Sequence, residues 1–209
     1  FDLSSSDVSQ FVITDEVPTK STGVWHVHIA QSIQGILIEN ARANVLINSN
    51  GAAVSMVGNL ISNLQSLPKG SSSPSIAPSG AIDKAKELLA LSGQMGTLLE
   101  KTNNKYTFSK GSLSLENIQV EQVYWNAGEE LRLAWKLDIY PLDAEHWWQF
   151  VIDADNGSEL ERYDWVVRCE FPEHSSTWHN HSSSSKNFDL TAAQAPAMAP
   201  FAPSNSSVS

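Results

Sequence analysis

Residues 145–160 read EHWWQFVIDADNGSEL, and the Asn156-Gly157 pair inside that stretch leaves the backbone few choices. A two-residue turn that matches the right-handed twist of paired strands needs positive φ at both central positions, which Asn and Gly tolerate best. The pair predicts a type I′ hairpin joining a strand over 147–153 to one over 158–168. Side-chain alternation assigns the faces: Trp148, Phe150 and Ile152 share one, while Trp147, Gln149, Val151 and Asp153 share the other. One tryptophan is expected in a core. The other is expected to be covered by another element or to belong to a partner surface.

The same period of two recurs along the chain. GVWHVHIAQSI puts Trp25, Val27 and Ile29 on one face, GILIENARANVLIN follows Gly35, and SNG at 49–51 turns the chain into AAVSMVGNLI. Further on, ENIQVEQVYWNAG, ELRLAWKLDIYP, WWQFVIDADNG and SELERYDWVVRCEF read as four strands joined by Asn-Ala-Gly, Pro-Leu-Asp and Asp-Asn-Gly turns. Only SGAIDKAKELLALSG has a helical period. Ser79 is placed there as its cap, Ile82, Ala85, Leu88 and Leu89 on one face, and Gly93 at its close. The fold class is α+β, with antiparallel sheets packed by little helix. LPKGSSSPSIAPSG (67–80) is expected to be a linker, and residues 172–209, rich in Ser, Ala and Pro, a low-complexity, mostly extended tail.

Charge and motifs narrow the function. With 13 basic and 23 acidic residues the 209-residue chain carries a formal charge of -10, so neither nucleic acid nor an anionic membrane is an expected partner. No apolar run approaches the roughly 20 residues that span a bilayer. The chain opens on Phe1, without an initiator Met or an apolar leader, and is expected to be a processed or trimmed segment. HVH at 26–28 puts two imidazoles on one strand face, and His174, His179 and His181 cluster in the tail. Both groups are weak metal candidates, more simply read as solvated side chains. Trp165, Val167 and Cys169 are expected to alternate inward, with Cys169 as a small buried hydrophobe. N-x-[ST] triplets at Asn156, Asn180 and Asn205 are glycosylation candidates if the chain is secreted by a eukaryote. H-E-x-x-H, G-x-S-x-G, Gly-rich phosphate loops and dinucleotide fingerprints are all missing from the sequence, so no enzyme is expected.

Two stretches carry a resemblance. TGVWHVHIAQSIQGILIENARANVLINSNGAAVSMVGNLI (22–61) resembles the propeptide block of fungalysin and thermolysin type metallopeptidases, with its G-V-x-H-V strand and N-A-x-x-N-V strand before an N-G hairpin. LAWKLDIYPLDAEHWWQFVIDADNGSELERYDWV (133–166) resembles the latter half of the fungalysin propeptide, a region similar to PepSY domains. The resemblance implies two small cystatin-like units: a propeptide-motif unit over 1–66 and, after the linker, a PepSY-like unit over 81–171. It also implies a secreted pro-domain that assists folding of a cognate zinc metallopeptidase and covers its active site. The zinc would then belong to the associated catalytic domain, not to this chain. Contact with that partner is expected over the region that holds Trp147, Trp148, Cys169 and Phe171, and Cys169 has a sharper alternative role as a thiolate ligand to the partner's zinc. The competing expectation is a stand-alone secreted binding module or inhibitor with no catalytic domain.

Overall fold

The computed structural model describes residues 3–71 and 73–167. Its elements run α1 (Ser5–Val8), β1 (Phe11–Thr19), β2 (Val24–Ile33), β3 (Ile36–Ile47), β4 (Ala53–Gly58), a 3-10 turn (Leu64–Ser66), α2 (Pro78–Leu88), β5 (Leu98–Thr102), β6 (Lys105–Phe108), β7 (Ile118–Asn126), β8 (Leu131–Ile139), β9 (Trp148–Asp153) and β10 (Glu159–Asp164). The architecture is α+β and mainly β. The strands form a ten-stranded sheet ordered β1-β2-β3-β7-β8-β9-β10, with β4 beside β3, and β5 beside β6, which in turn pairs with β7. No helix among the described residues is long and apolar enough to cross a membrane.

The length of β3 explains how one sheet holds strands so far apart in sequence. Its second half pairs with β2 on one edge and with β4 on the other, over Ala43 to Ile47. Its first half reaches β7 through a parallel pairing of Ile38 with Tyr124. Beside that pairing the Asn40 amide imitates a strand: its Nδ2 donates to the Asn126 carbonyl and its Oδ1 accepts from the Asn126 N–H, each at 2.9 Å. Two main-chain groups that would end a ladder unpaired are thereby satisfied.

The core is built from both sides of residue 67. Ile33, Ile38, Ala41 and Leu64 join Ala81, Ile82 and Ala85 of α2 and Val120, Leu133, Trp135, Leu137, Phe150 and Ile152 of the later strands in one buried cluster. Trp135 is its largest fully buried side chain, and the indole N–H finds a partner in the Ile76 carbonyl at 2.8 Å. Segment 67–80 runs along β8 and the β9–β10 turn: the Leu131 N–H donates to Pro68, that of Gly70 to Leu131, and those of Ser75 and Ile76 to Ala154.

Local chemistry departs from expectation in two elements. α2 starts inside segment 67–80, at Pro78, with Ala77 as its N-cap; Ser79 does not cap it. Proline's fixed φ suits the first helical position, and the start lies two residues ahead of the expected one. Ile82 and Ala85 are buried as expected, whereas Leu88 is exposed. The hairpin between β9 and β10 forms, but not through a two-residue type I′ turn. Among the described residues Gly157 has positive φ and Asn156 does not. The Asp153 carboxylate accepts from the N–H groups of Asp155 and Asn156, and the Gly157 N–H returns to the Asp153 carbonyl at 2.9 Å. An Asp side chain that captures the N–H groups two and three residues on widens the turn.

Candidate partner-binding site

The strand pairs of β8, β9 and β10 set the faces on which side chains meet. Leu137 pairs with Phe150, and both point into the core; Asp138 pairs with Gln149, which pairs with Tyr163, and these three share the opposite face. There Trp147, Trp165, Asp138 and Gln149 line a cleft of about 400 Å³. Trp147 and Trp165 are 42% and 52% exposed, large apolar rings that this fold leaves half in water.

Neighbouring rings hold both walls. Trp147 stacks on Tyr140, with centroids 5.3 Å apart and planes 15° from parallel. Trp165 meets Tyr163 edge to face at 4.7 Å. On the floor, the carboxylate of Asp138 accepts from Gln149 Nε2 at 3.0 Å. Burial raises the Asp138 pKa above the usual carboxylate range, against the Gln149 hydrogen bond and the nearby Lys136 charge, which act to lower it. Lys136 is itself engaged with Glu39 at 3.1 Å, and Glu39 also holds Arg42 at 2.6 Å.

The site sits where the described chain ends. Asp164 closes β10 by accepting from His146 Nδ1 at 2.6 Å, from the Trp147 N–H at 3.1 Å and from the Val166 N–H at 3.0 Å. The His146 bond holds the Asp164 pKa below the usual carboxylate range. The Trp165 N–H still pairs with the Trp147 carbonyl, but regular pairing stops at Asp164, and that frees the next side chains. Trp165 and Val167 are consequently exposed, not alternating inward as expected. β10 also ends the strand order, so its outer edge is open among the described residues.

Trp148, beside Trp147 in sequence, lies on the core side: it packs against the main cluster, stacks on His146 at 4.8 Å, and has the Arg162 guanidinium 5.6 Å from its ring. Cys169, Phe171, His174, His179, His181, Asn180 and Asn205 lie outside the described residues. Asn156 is exposed in the hairpin turn, its Oδ1 accepting from the Ser158 N–H at 2.8 Å. His26 and His28 lie on one face of β2; His26 Nδ1 is 3.4 Å from Asn44 Nδ2, and His28 lines a shallow cleft with Asp15, Arg42 and Asn44. No group of three or more His, Cys, Asp or Glu suited to a metal is gathered among the described residues. Sequence reasoning missed Asp138, Tyr140 and the His146–Asp164 pair. The alternation in LAWKLDIYP does put Asp138 on the polar face, but only the β8–β9 register brings it opposite Gln149.

Comparison with known proteins gives this geometry a setting. Residues 9–60, which span β1 to β4, match the Fungalysin/Thermolysin Propeptide Motif. The chain is 22% identical over 198 residues to Extracellular metalloproteinase 2 of Phaeosphaeria nodorum, covering 82% of this chain and 31% of that protein. It is 26% identical over 169 residues to Extracellular metalloproteinase mep of Aspergillus niger, covering 78% of this chain and 26% of that protein. The chain thus spans under a third of the length of these relatives. Its resemblance to a fungalysin-type propeptide rests on a matched motif and on alignments that run well beyond it.

Proposed function

We propose that this chain is the non-catalytic pro-domain of a secreted fungalysin-type zinc metallopeptidase, and that it guides folding of the peptidase and covers its active site. The observation that carries this reading is the match of residues 9–60 to the propeptide motif, extended by two alignments over about four-fifths of the chain with extracellular metalloproteinases. The structure supplies surfaces suited to the task. The β10 edge, open among the described residues, can pair with an extended peptide through main-chain bonds, and the half-exposed Trp147 and Trp165 beside it are of the residue type that dominates interface energetics. Zinc and the H-E-x-x-H helix belong to the peptidase in this reading. In the same reading Trp147, Trp148 and Phe171 contribute to contact, and Cys169 serves as a thiolate ligand to the peptidase's zinc.

The chaperone role is tested by refolding. A fungalysin-type peptidase from the same source is denatured, diluted into buffer with or without equimolar chain, and assayed once the chain has been digested away. Recovery several-fold higher with the chain is the expected result. Equal recovery would overturn that role.

A further inference from the structure

We propose that the cleft between Trp147 and Trp165 receives one arginine side chain of a partner protein, with Asp138 as its counter-ion and the two indoles as its walls. Asp138 is partly buried, yet among the described residues it makes no ion pair; its one hydrogen bond is from the neutral amide of Gln149. Taking a carboxylate from water without a cation is costly, and Lys136, the nearest candidate on its own strand, is held by Glu39. A partly desolvated carboxylate whose nearest cation is shared with Glu39 gains from a second cation supplied from outside.

The walls select the kind of cation. Guanidinium is planar and weakly hydrated, stacks on aromatic faces, and offers paired N–H donors that match a carboxylate. Two tryptophans flanking a carboxylate present both recognition elements at once. Each wall is braced by a tyrosine, so less rotamer freedom is lost when the guest enters. A saccharide would also stack on indole, but it needs several directed donors, and the one amide on the floor is engaged by Asp138. The formal charge of -10 adds long-range attraction toward a basic surface. The inference stands apart from the pro-domain reading. If both hold, the arginine is on the peptidase, and a failure here leaves the refolding and inhibition outcomes untouched.

The test uses the whole chain and N-acetyl-arginine-N-methylamide, followed through the indole N–H resonances, with Trp147→Phe and Trp165→Phe assigning the two signals. Saturable shifts of both signals are expected, with a midpoint of roughly 1–10 mM for one isolated contact. The citrulline analogue and methyl glucoside should produce none. Asp138→Asn should weaken binding at least about five-fold while leaving the thermal midpoint equal or higher, because the variant removes a partly buried charge that makes no ion pair of its own. Linear shifts, equal shifts with citrulline, or saturation by the glucoside would overturn the proposal. Saturation seen only after Arg168→Gln would assign the cleft to the chain's own basic residue and overturn it equally.

Discussion

Asp7 is buried, and its two oxygens are filled by four donors: the Ser4 hydroxyl and N–H, and the N–H groups of Asn63 and Leu64. It pins the first turn of the chain to the 3-10 turn more than fifty residues away. These bonds, that from the Ser4 hydroxyl foremost, lower its pKa from 3.8 to about 2. A carboxylate depressed in the folded state stabilises the fold at any pH above its unfolded pKa, and that contribution disappears as pH falls through the folded value. Asp7→Asn is therefore expected to cost about 3 kcal/mol at pH 7, since buried donors lose a charged acceptor. The gap between wild type and variant should shrink between pH 4 and pH 2, as read by urea denaturation at each pH; a gap unchanged with pH would contradict the assignment. Little of this was legible beforehand, because Asp7 stands in a Ser-rich opening with no apolar period and its partners are remote in sequence. Asn156 teaches the same lesson in reverse: the Asn-Gly pair announced a hairpin correctly, but the Asp153 carboxylate decided the turn.

At the scale of elements, the strands were readable because a half-buried strand writes its period of two into the sequence, as VWHVHI and LRLAWKLDI do. What joins them was not readable. The β3–β7 contact rests on a single parallel pair and on the Asn40 amide, and nothing in ENARANV marks that asparagine as a bridge to Asn126. Asn40→Ala leaves one N–H and one carbonyl of Asn126 without their partner, and should destabilise the fold by about 2 kcal/mol. Asn40→Asp, which can accept but not donate, should fall between the two; alanine behaving like wild type in chemical denaturation would contradict the bridge. α2 invites the opposite experiment. Its N-cap, Ala77, is exposed with extended backbone and offers no side-chain acceptor. Ala77→Ser is expected to raise stability by about 1 kcal/mol, and a loss of stability on the same assay would show that the first turn is not as described.

For the whole molecule, the described chain behaves as one packed body because its main core draws on residues from Ile33 to Ala154. Unfolding of residues 3–167 should accordingly follow one transition that coincides by far-ultraviolet dichroism and tryptophan fluorescence, and two separated transitions would mean that the core does not couple its halves. Among the described residues the same body leaves two half-exposed tryptophans, a carboxylate without an ion pair and an open strand edge close to Val167, where the description ends. The pro-domain proposed above would act by holding a peptidase. The most direct test adds the purified chain to a mature fungalysin-type metallopeptidase from the same source and follows peptide hydrolysis against chain concentration. Tight, saturable inhibition, weakened by Trp165→Ala without loss of thermal stability, is the result expected. Full peptidase activity at micromolar concentrations of a chain shown to be folded would contradict it.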